Sequence, residues 1–165
     1  TVDNLRLANV DDVIVVTTDT SQPIIDYCQK MRISYVAGDD DGDLLHQMLL
    51  AVKEECDVVR VWGDNPFPFA WLIDIGVHFF GISRFDYVVD HTSDSYCSIV
   101  RSSTLFVLKE RRLNKNDRYD IHTWMVNNLH SCVLNYPVLP MKLTIDTPED
   151  LEEIRRLYKN GSNYM

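Results

Sequence analysis

The sequence predicts an α/β fold, an open and mostly parallel sheet with helices on both faces. Three observations predict it. Short apolar runs alternate with helical patterns along nearly the whole chain. The first run, VIVVTT, is continuously β-branched, as in a strand buried on both faces. The chain has 165 residues, 45% of them apolar, which suits one domain with a real core.

The elements follow in order. Residues 13–18 (VIVVTT) form the first strand. A helix then runs from Pro23, a good first helical position, with Ile24, Ile25, Cys28 and Met31 on one face. Residues 34–38 are a short strand. Residues 43–55 are amphipathic, with Leu44, Leu45, Met48, Leu49 and Val52 on one stripe. VVRVWG (58–63) is the third strand. Residues 68–80 read as a helix with Trp71, Leu72, Ile75 and Phe79 inward. YVVD (87–90) is a fourth strand and residues 98–100 a fifth. Helices follow around 103–111 and 120–129. MKLTID (141–146) is the last strand, and 148–159 the last helix. The stretch 90–120 breaks the alternation, and a small antiparallel excursion is expected there. There is no internal repeat and no low-complexity linker.

Composition excludes several classes. The net charge of -9 and the lack of a basic stripe argue against nucleic-acid binding. Lys109, Arg111 and Arg112 form a cationic cluster at an expected helix end, where cations face the negative pole of the helix dipole. The longest apolar runs fall far short of the roughly 20 residues of a membrane helix. No signal peptide opens the sequence, so a cytoplasmic location is expected. Cys28, Cys56, Cys97 and Cys132 form no CxxC pair, so no zinc site is expected. In the acidic run from Asp39, Gly42 stands at position 4 and Leu50 at position 12, which does not match a calcium loop.

In open α/β sheets, ligands sit outside the carboxyl ends of the strands. Asp64 follows VVRVWG directly, between Gly63, which allows a close turn, and Pro66, which blocks immediate helix formation. An ordinary turn aspartate fits the same spacing. Asp146 ends KLTI. Thr147 can cap the following helix, Pro148 suits its first position, and Asp150 completes a T-x-x-D box. That leaves the Asp146 side chain available, unless Asp146 itself is the cap. Two carboxylates on separate strand ends suit Mg²⁺, which takes one or two carboxylates plus phosphates and water. Arg60, near the mouth of the third strand, either faces a phosphate or a sugar carboxylate, or snorkels to the sheet edge.

The segments DDVIVVTTD, GDDDGDLLHQ, VVRVWGDNPF and KLTIDTPEDLEEIRRLY resemble, in this order, the cytidylyltransferases of the spore coat polysaccharide type. These are relatives of the CMP-KDO and CMP-sialic acid synthetases. The resemblance spans residues 11–158. It implies a nucleotide-diphospho-sugar transferase fold, of Rossmann-like character, that joins CTP to an acidic or amino sugar and releases pyrophosphate with Mg²⁺. It places the metal on Asp64 and Asp146, with Arg60 beside them. It sets Thr17, Thr18 and Asp19 near the base and ribose, and Asp43 in a D-V-L-x-R motif. Gln47 replaces the arginine of that motif. Arg118, His122 and Thr123 stand where the family carries R-E-H-V-T. Arg118 and His122 are thereby candidates for substrate contact, and His122 is alternatively structural.

The family opens with a strand and a Gly-rich phosphate loop. None of the six glycines forms such a loop, so one nucleotidyltransferase-like domain without that strand and loop is expected. The resemblance also implies a homodimer through a segment like 90–120. Two alternatives stand beside the enzyme. One is a non-catalytic relative that binds a nucleotide or a protein; the other is a sugar nucleotidyltransferase using UTP or GTP.

Overall fold

The computed structural model describes residues 1–39, 42–52, 54–66, 69–90, 97–135 and 144–161. The described elements run α1 (Val2–Leu5), β1 (Val15–Thr18), α2 (Gln22–Met31), β2 (Tyr35–Gly38), α3 (Leu44–Ala51), β3 (Asp57–Val61), α4 (Ala70–Ile82) and β4 (Tyr87–Asp90). β5 (Cys97–Arg101), α5 (Ser102–Glu110), α6 (Lys115–Tyr119), α7 (Ile121–Asn128), β6 (Ser131–Leu134) and α8 (Pro148–Gly161) follow. The start of the expected strand 141–146 lies outside the described residues, and 144–146 is not in strand conformation. β6 and α6 are additions to the elements expected from sequence.

The strands form two sheets. β1 and β2 make a parallel pair, and the second sheet has the order β3-β5-β4-β6. β4 and β6 are parallel, while β5 runs antiparallel to both β3 and β4. β5 is the antiparallel excursion expected within 90–120. Among the described residues, β1 and β3 each pair along one edge. The consequence shows in burial. β4 is buried throughout and β5 is buried up to its last residue, whereas most of β1 and β3 is half-buried. The VIVVTT run is thus a strand, but not one enclosed on all sides.

Helices cover both faces of the four-stranded sheet, because alternate residues point to opposite sides. Val59, Ile99, Val88 and Cys132 line the face under α4, where Phe80 is fully buried. Val58, Val100, Tyr87 and Val89 line the other face, against Leu45 and Met48 of α3, Leu105 and Leu108 of α5, and Ile121 and Met125 of α7. α3 also packs on β1 and β2, so it joins the two sheets. At the amino end, Leu5, Ala8 and Val10 pack with Val59, Val61, Ile73 and Cys97. The Asn9 N–H donates to Asp74 of α4 at 2.7 Å.

Two helices differ from the expected phase. In α4, Leu72, Ile73, Gly76 and Phe80 face inward, while Trp71 and Ile75 are exposed. The helix is apolar nearly all round, so periodicity alone leaves its phase open. At Gly76 a Cβ would stand 3.0 Å from Ile99 Cδ1, so the missing side chain lets the helix lie close on β5. In α2 only Cys28 is buried, and Ile24 and Met31 are exposed, because a two-stranded sheet offers less area to cover. α3 keeps its expected stripe, with Leu45 and Met48 buried and Leu44, Leu49 and Val52 packed beside them.

Candidate functional site

The carboxyl end of β3 and the entry to α8 meet. The chain turns after β3, with Asn65 N–H donating to the Trp62 carbonyl at 3.2 Å. Asn65 is buried and Asp64 is exposed. The Ile145 N–H donates to the Asp64 carbonyl at 3.0 Å. That bond ties the backbone beside Asp146 to Asp64 and brings the two segments expected to carry metal together. Gly63 is not needed for this turn. No described glycine has a positive φ, and open space surrounds the position a Gly63 Cβ would take.

The α8 cap answers the question the sequence left open. The Asp150 N–H donates to Thr147 Oγ1 at 3.2 Å, and Asp150 Oδ2 accepts from Thr147 N–H at 2.8 Å and Asp146 N–H at 3.1 Å. This is a reciprocal capping box. Thr147 is the cap, and the Asp146 carboxylate is not used for it. Thr144 Oγ1 donates to Asp146 Oδ2 at 3.3 Å. Both aspartates are exposed, hard oxygen donors on segments joined by a backbone bond. That donor chemistry fits a Mg²⁺ ion completed by phosphate and water. Among the described residues, no cluster of three or more His, Cys, Asp or Glu could hold a metal. Any ion here would therefore rest on the two carboxylates and the substrate's own oxygens.

Arg60 points from β3 toward α7. Its Nη1 lies 2.5 Å from His122 Nε2, and the other ring nitrogen, Nδ1, lies 2.6 Å from Tyr87 Oη. The Trp62 ring lies against both, with the Arg60 Cζ 4.0 Å from its centroid and the His122 ring 4.7 Å away at a 38° tilt. Arg60 is half-buried. Burial pushes its guanidinium down to about 10, against the opposing pull of Tyr87 and Asp64. It therefore remains a cation at neutral pH. Tyr87 is fully buried, and burial raises its phenol well above the usual range.

Asp43 and Arg118 meet each other. Asp43 Oδ1 accepts from His46 N–H at 2.9 Å and caps α3, while Oδ2 accepts from Arg118 Nε at 2.5 Å. The pair clamps α6 onto α3. We predict that Asp43→Ala lowers stability by about 1–2 kcal/mol, the range for a lost cap. Asp43→Asn, which can still cap, should lose less; urea titration of both variants checks this.

Thr17, Thr18 and Asp19 lie at the carboxyl end of β1. Thr17 is buried. Thr18 Oγ1 bonds to the hydroxyls of Thr20 at 3.0 Å and Ser21 at 2.8 Å. The exposed Asp19 donates its N–H to the Gly38 carbonyl at 2.8 Å. Their bonds stay within β1, β2 and the turn into α2, whereas Asp64 and Asp146 stand after β3 and at the entry to α8. Sequence reasoning missed Tyr87 and Trp62, which hold Arg60 and His122. It also missed Asp90, a buried carboxylate at the end of β4. The signal for Asp90 was there, since YVVD ends in an aspartate as LTID does.

Comparison with known proteins follows the same line. No protein-family profile matches the chain. The spore coat polysaccharide biosynthesis protein SpsF of Bacillus subtilis (strain 168) is 26% identical over 166 residues, covering 92% of this chain and 68% of that protein. A cytidylyltransferase from Leptospira borgpetersenii serovar Hardjo-bovis (strain JB197) superposes with a TM-score of 0.78 at 20% identity, covering 97% of this chain and 82% of that one. The manganese complex of Rv0371C from Mycobacterium tuberculosis H37Rv gives a TM-score of 0.65 at 15% identity, covering 93% and 82%. These likenesses bear out the predicted α/β fold, and the sequence relative is of the type the motifs resemble.

Proposed function

We infer that this chain is a cytidylyltransferase of the spore coat polysaccharide type, and that it joins CTP to a sugar, giving a CMP-sugar and pyrophosphate. The observation that carries the reading is the backbone bond from Ile145 to Asp64, which sets Asp64 and Asp146 on touching segments. The relationship to SpsF and the fold shared with a cytidylyltransferase support it. Asp64 and Asp146 would hold the divalent ion, and Mg²⁺ is the ion we propose. A structural neighbour carries manganese, another ion that oxygen ligands suit. When bound, such an ion would neutralise charge on the α-phosphate.

The chain's own residues do the rest. Thr147 and Asp150 fix the helix entry that aims Asp146. Arg60 offers a cation to an oxyanion of the substrate, and an acidic or amino sugar is the proposed acceptor. Thr17, Thr18 and Asp19 are proposed beside the nucleoside. Asp43 and Arg118 contribute by holding α3 and α6 together; His122 acts through Arg60.

We read the whole chain as one nucleotidyltransferase-like domain. Among the described residues no helix is long and apolar enough to cross a membrane, and a cytoplasmic setting and a homodimer go with this reading. The test is pyrophosphate release from CTP, UTP and GTP, each with and without Mg²⁺, over a panel of sugar acids and amino sugars. CTP with Mg²⁺ is expected to be at least about 10-fold preferred, the discrimination of a pocket that reads one base by hydrogen bonds. Turnover of UTP or GTP at an equal rate, or CTP binding without turnover on any sugar, would reject the reading.

A further inference from the structure

Arginines that leave water normally find a carboxylate. Arg118, the one arginine of this chain besides Arg60 that is not exposed, does so by pairing with Asp43. Arg60 does not. Among the described residues no carboxylate lies within ion-pair distance of it, although the chain has 25 acidic residues. Asp64 acts on it only through space. Its immediate partners are an imidazole, an indole face and, through the imidazole, a phenol.

The hydrogen-bond chemistry fixes the protons. A guanidinium only donates, so His122 Nε2 accepts from Arg60 Nη1. The ring's single proton then sits on Nδ1 and is donated to Tyr87 Oη. A second ring proton would face the arginine cation and break the bond. The described charged groups around the ring are of both signs, and Arg60, in direct contact with Nε2, stands nearest. Arg60 on β3 opposes a positive imidazole, and Arg118 on α6 is neutralised by Asp43 on α3. Asp120, the cap of α7, bonds to Thr123 N–H at 3.4 Å. Tyr87 on β4 stays a neutral phenol.

We propose that His122 and Tyr87 are positioning residues that hold the Arg60 guanidinium as an uncompensated cation for an oxyanion of the substrate, with His122 kept neutral and protonated on Nδ1. This rests on the cytidylyltransferase reading and deepens it. A carboxylate in place of His122 would orient Arg60 equally well and cancel its charge. A neutral imidazole orients it and leaves the charge available. Partial burial and the Trp62 face then strengthen its pull on an incoming anion, because the local dielectric is low. The oxyanion is either a phosphate of the nucleotide or the carboxylate of a sugar acid, and the experiment separates the two.

The experiment measures binding of CTP, of pyrophosphate and of a sugar acid, N-acetylneuraminate, by calorimetry with Mg²⁺ present. It compares wild type with His122→Gln, His122→Glu and Arg60→Met, together with turnover of CTP. Glutamine can accept from Arg60 and donate to Tyr87, so H122Q should bind within about 3-fold of wild type. H122E neutralises Arg60 and should weaken one class of ligand by about 10-fold or more, as R60M does. Loss on CTP and pyrophosphate assigns the phosphate, and loss on the sugar acid assigns the carboxylate. Thermal melting accompanies each variant, and a purely structural His122 would lower melting in H122Q and H122E alike without this split.

Nitrogen-15 shifts of the His122 ring, assigned through H122Q, should show a protonated Nδ1 and a bare Nε2 at neutral pH. A doubly protonated ring at neutral pH, or H122E binding every ligand as wild type does, would overturn the proposal. Pyrophosphate binding that R60M and H122E abolish, in a protein that never turns over CTP, would uphold the anion seat and sink cytidylyl transfer. Turnover of CTP indifferent to H122E would do the reverse.

Discussion

Asparagine at Asp64 or Asp146 is expected to lower Mg²⁺-dependent pyrophosphate release from CTP by about 100-fold or more, the scale on which one preorganised charge-stabilising group matters. Asparagine keeps the size and the backbone of aspartate and removes its charge, so the metal loses an anionic ligand. Both side chains are exposed, and neither caps a helix. The melting temperature should therefore stay within a degree or two of wild type, the range for exposed substitutions. A coupled pyrophosphate assay with Mg²⁺ titration, run beside a thermal melt, measures both. Unchanged release in both variants would remove the metal site from the account, and a large fall in melting would mean the aspartates serve the fold.

Phe80→Ala is the second large effect, and it falls on stability. Phe80 is fully buried among Val88 and Ile99. Its removal should cost about 3–5 kcal/mol, against a total of about 5–15 kcal/mol for a domain of ordinary stability. Trp71→Ala, on the outer side of the same helix, should cost less than about 1 kcal/mol, since Trp71 is 56% exposed. Urea unfolding of the pair tests the phase of α4 directly. A larger loss from Trp71→Ala than from Phe80→Ala would mean the helix is turned as its sequence pattern first suggests.

That helix shows where sequence reading runs out. AWLIDIGVHFFGI names a helix by its length and apolar content, yet it has apolar residues on every side. Which side meets the sheet is decided by the residues of β4 and β5 under it, and nothing within the helix itself states that. The sheet repeats the lesson. VIVVTT, VVRVWG and YVVD are legible as strands, because β-branched runs suit a pleated backbone. Which edges pair is not legible, because pairing depends on residues far apart in the chain. SCVL at 131–134 is too short and too mixed to stand out, and it becomes a strand by lying beside β4.

The candidate site divides the same way. TIDTPEDL announced its own cap, and the reciprocal bonds of Thr147 and Asp150 carry it out. Those contacts span three residues, so local sequence decides them. Asp64 and Asp146 could be paired from sequence only through strand-end logic and resemblance. Asp43 and Arg118 were both legible as polar candidates, but not as partners of each other, since they are separated by three strands and three helices.

By itself, the sequence determined the α/β class, most strands and helices, and the α8 cap. Propensity, periodicity and capping act within a few residues, and they are written where they act. Only the tertiary structure decided the split of the sheet, the phase of α4, the contact between the Asp64 and Asp146 segments, and the hold of His122 and Tyr87 on Arg60. Each of these depends on groups distant in sequence that meet through burial, and a desolvated arginine acquires its meaning from what surrounds it in space.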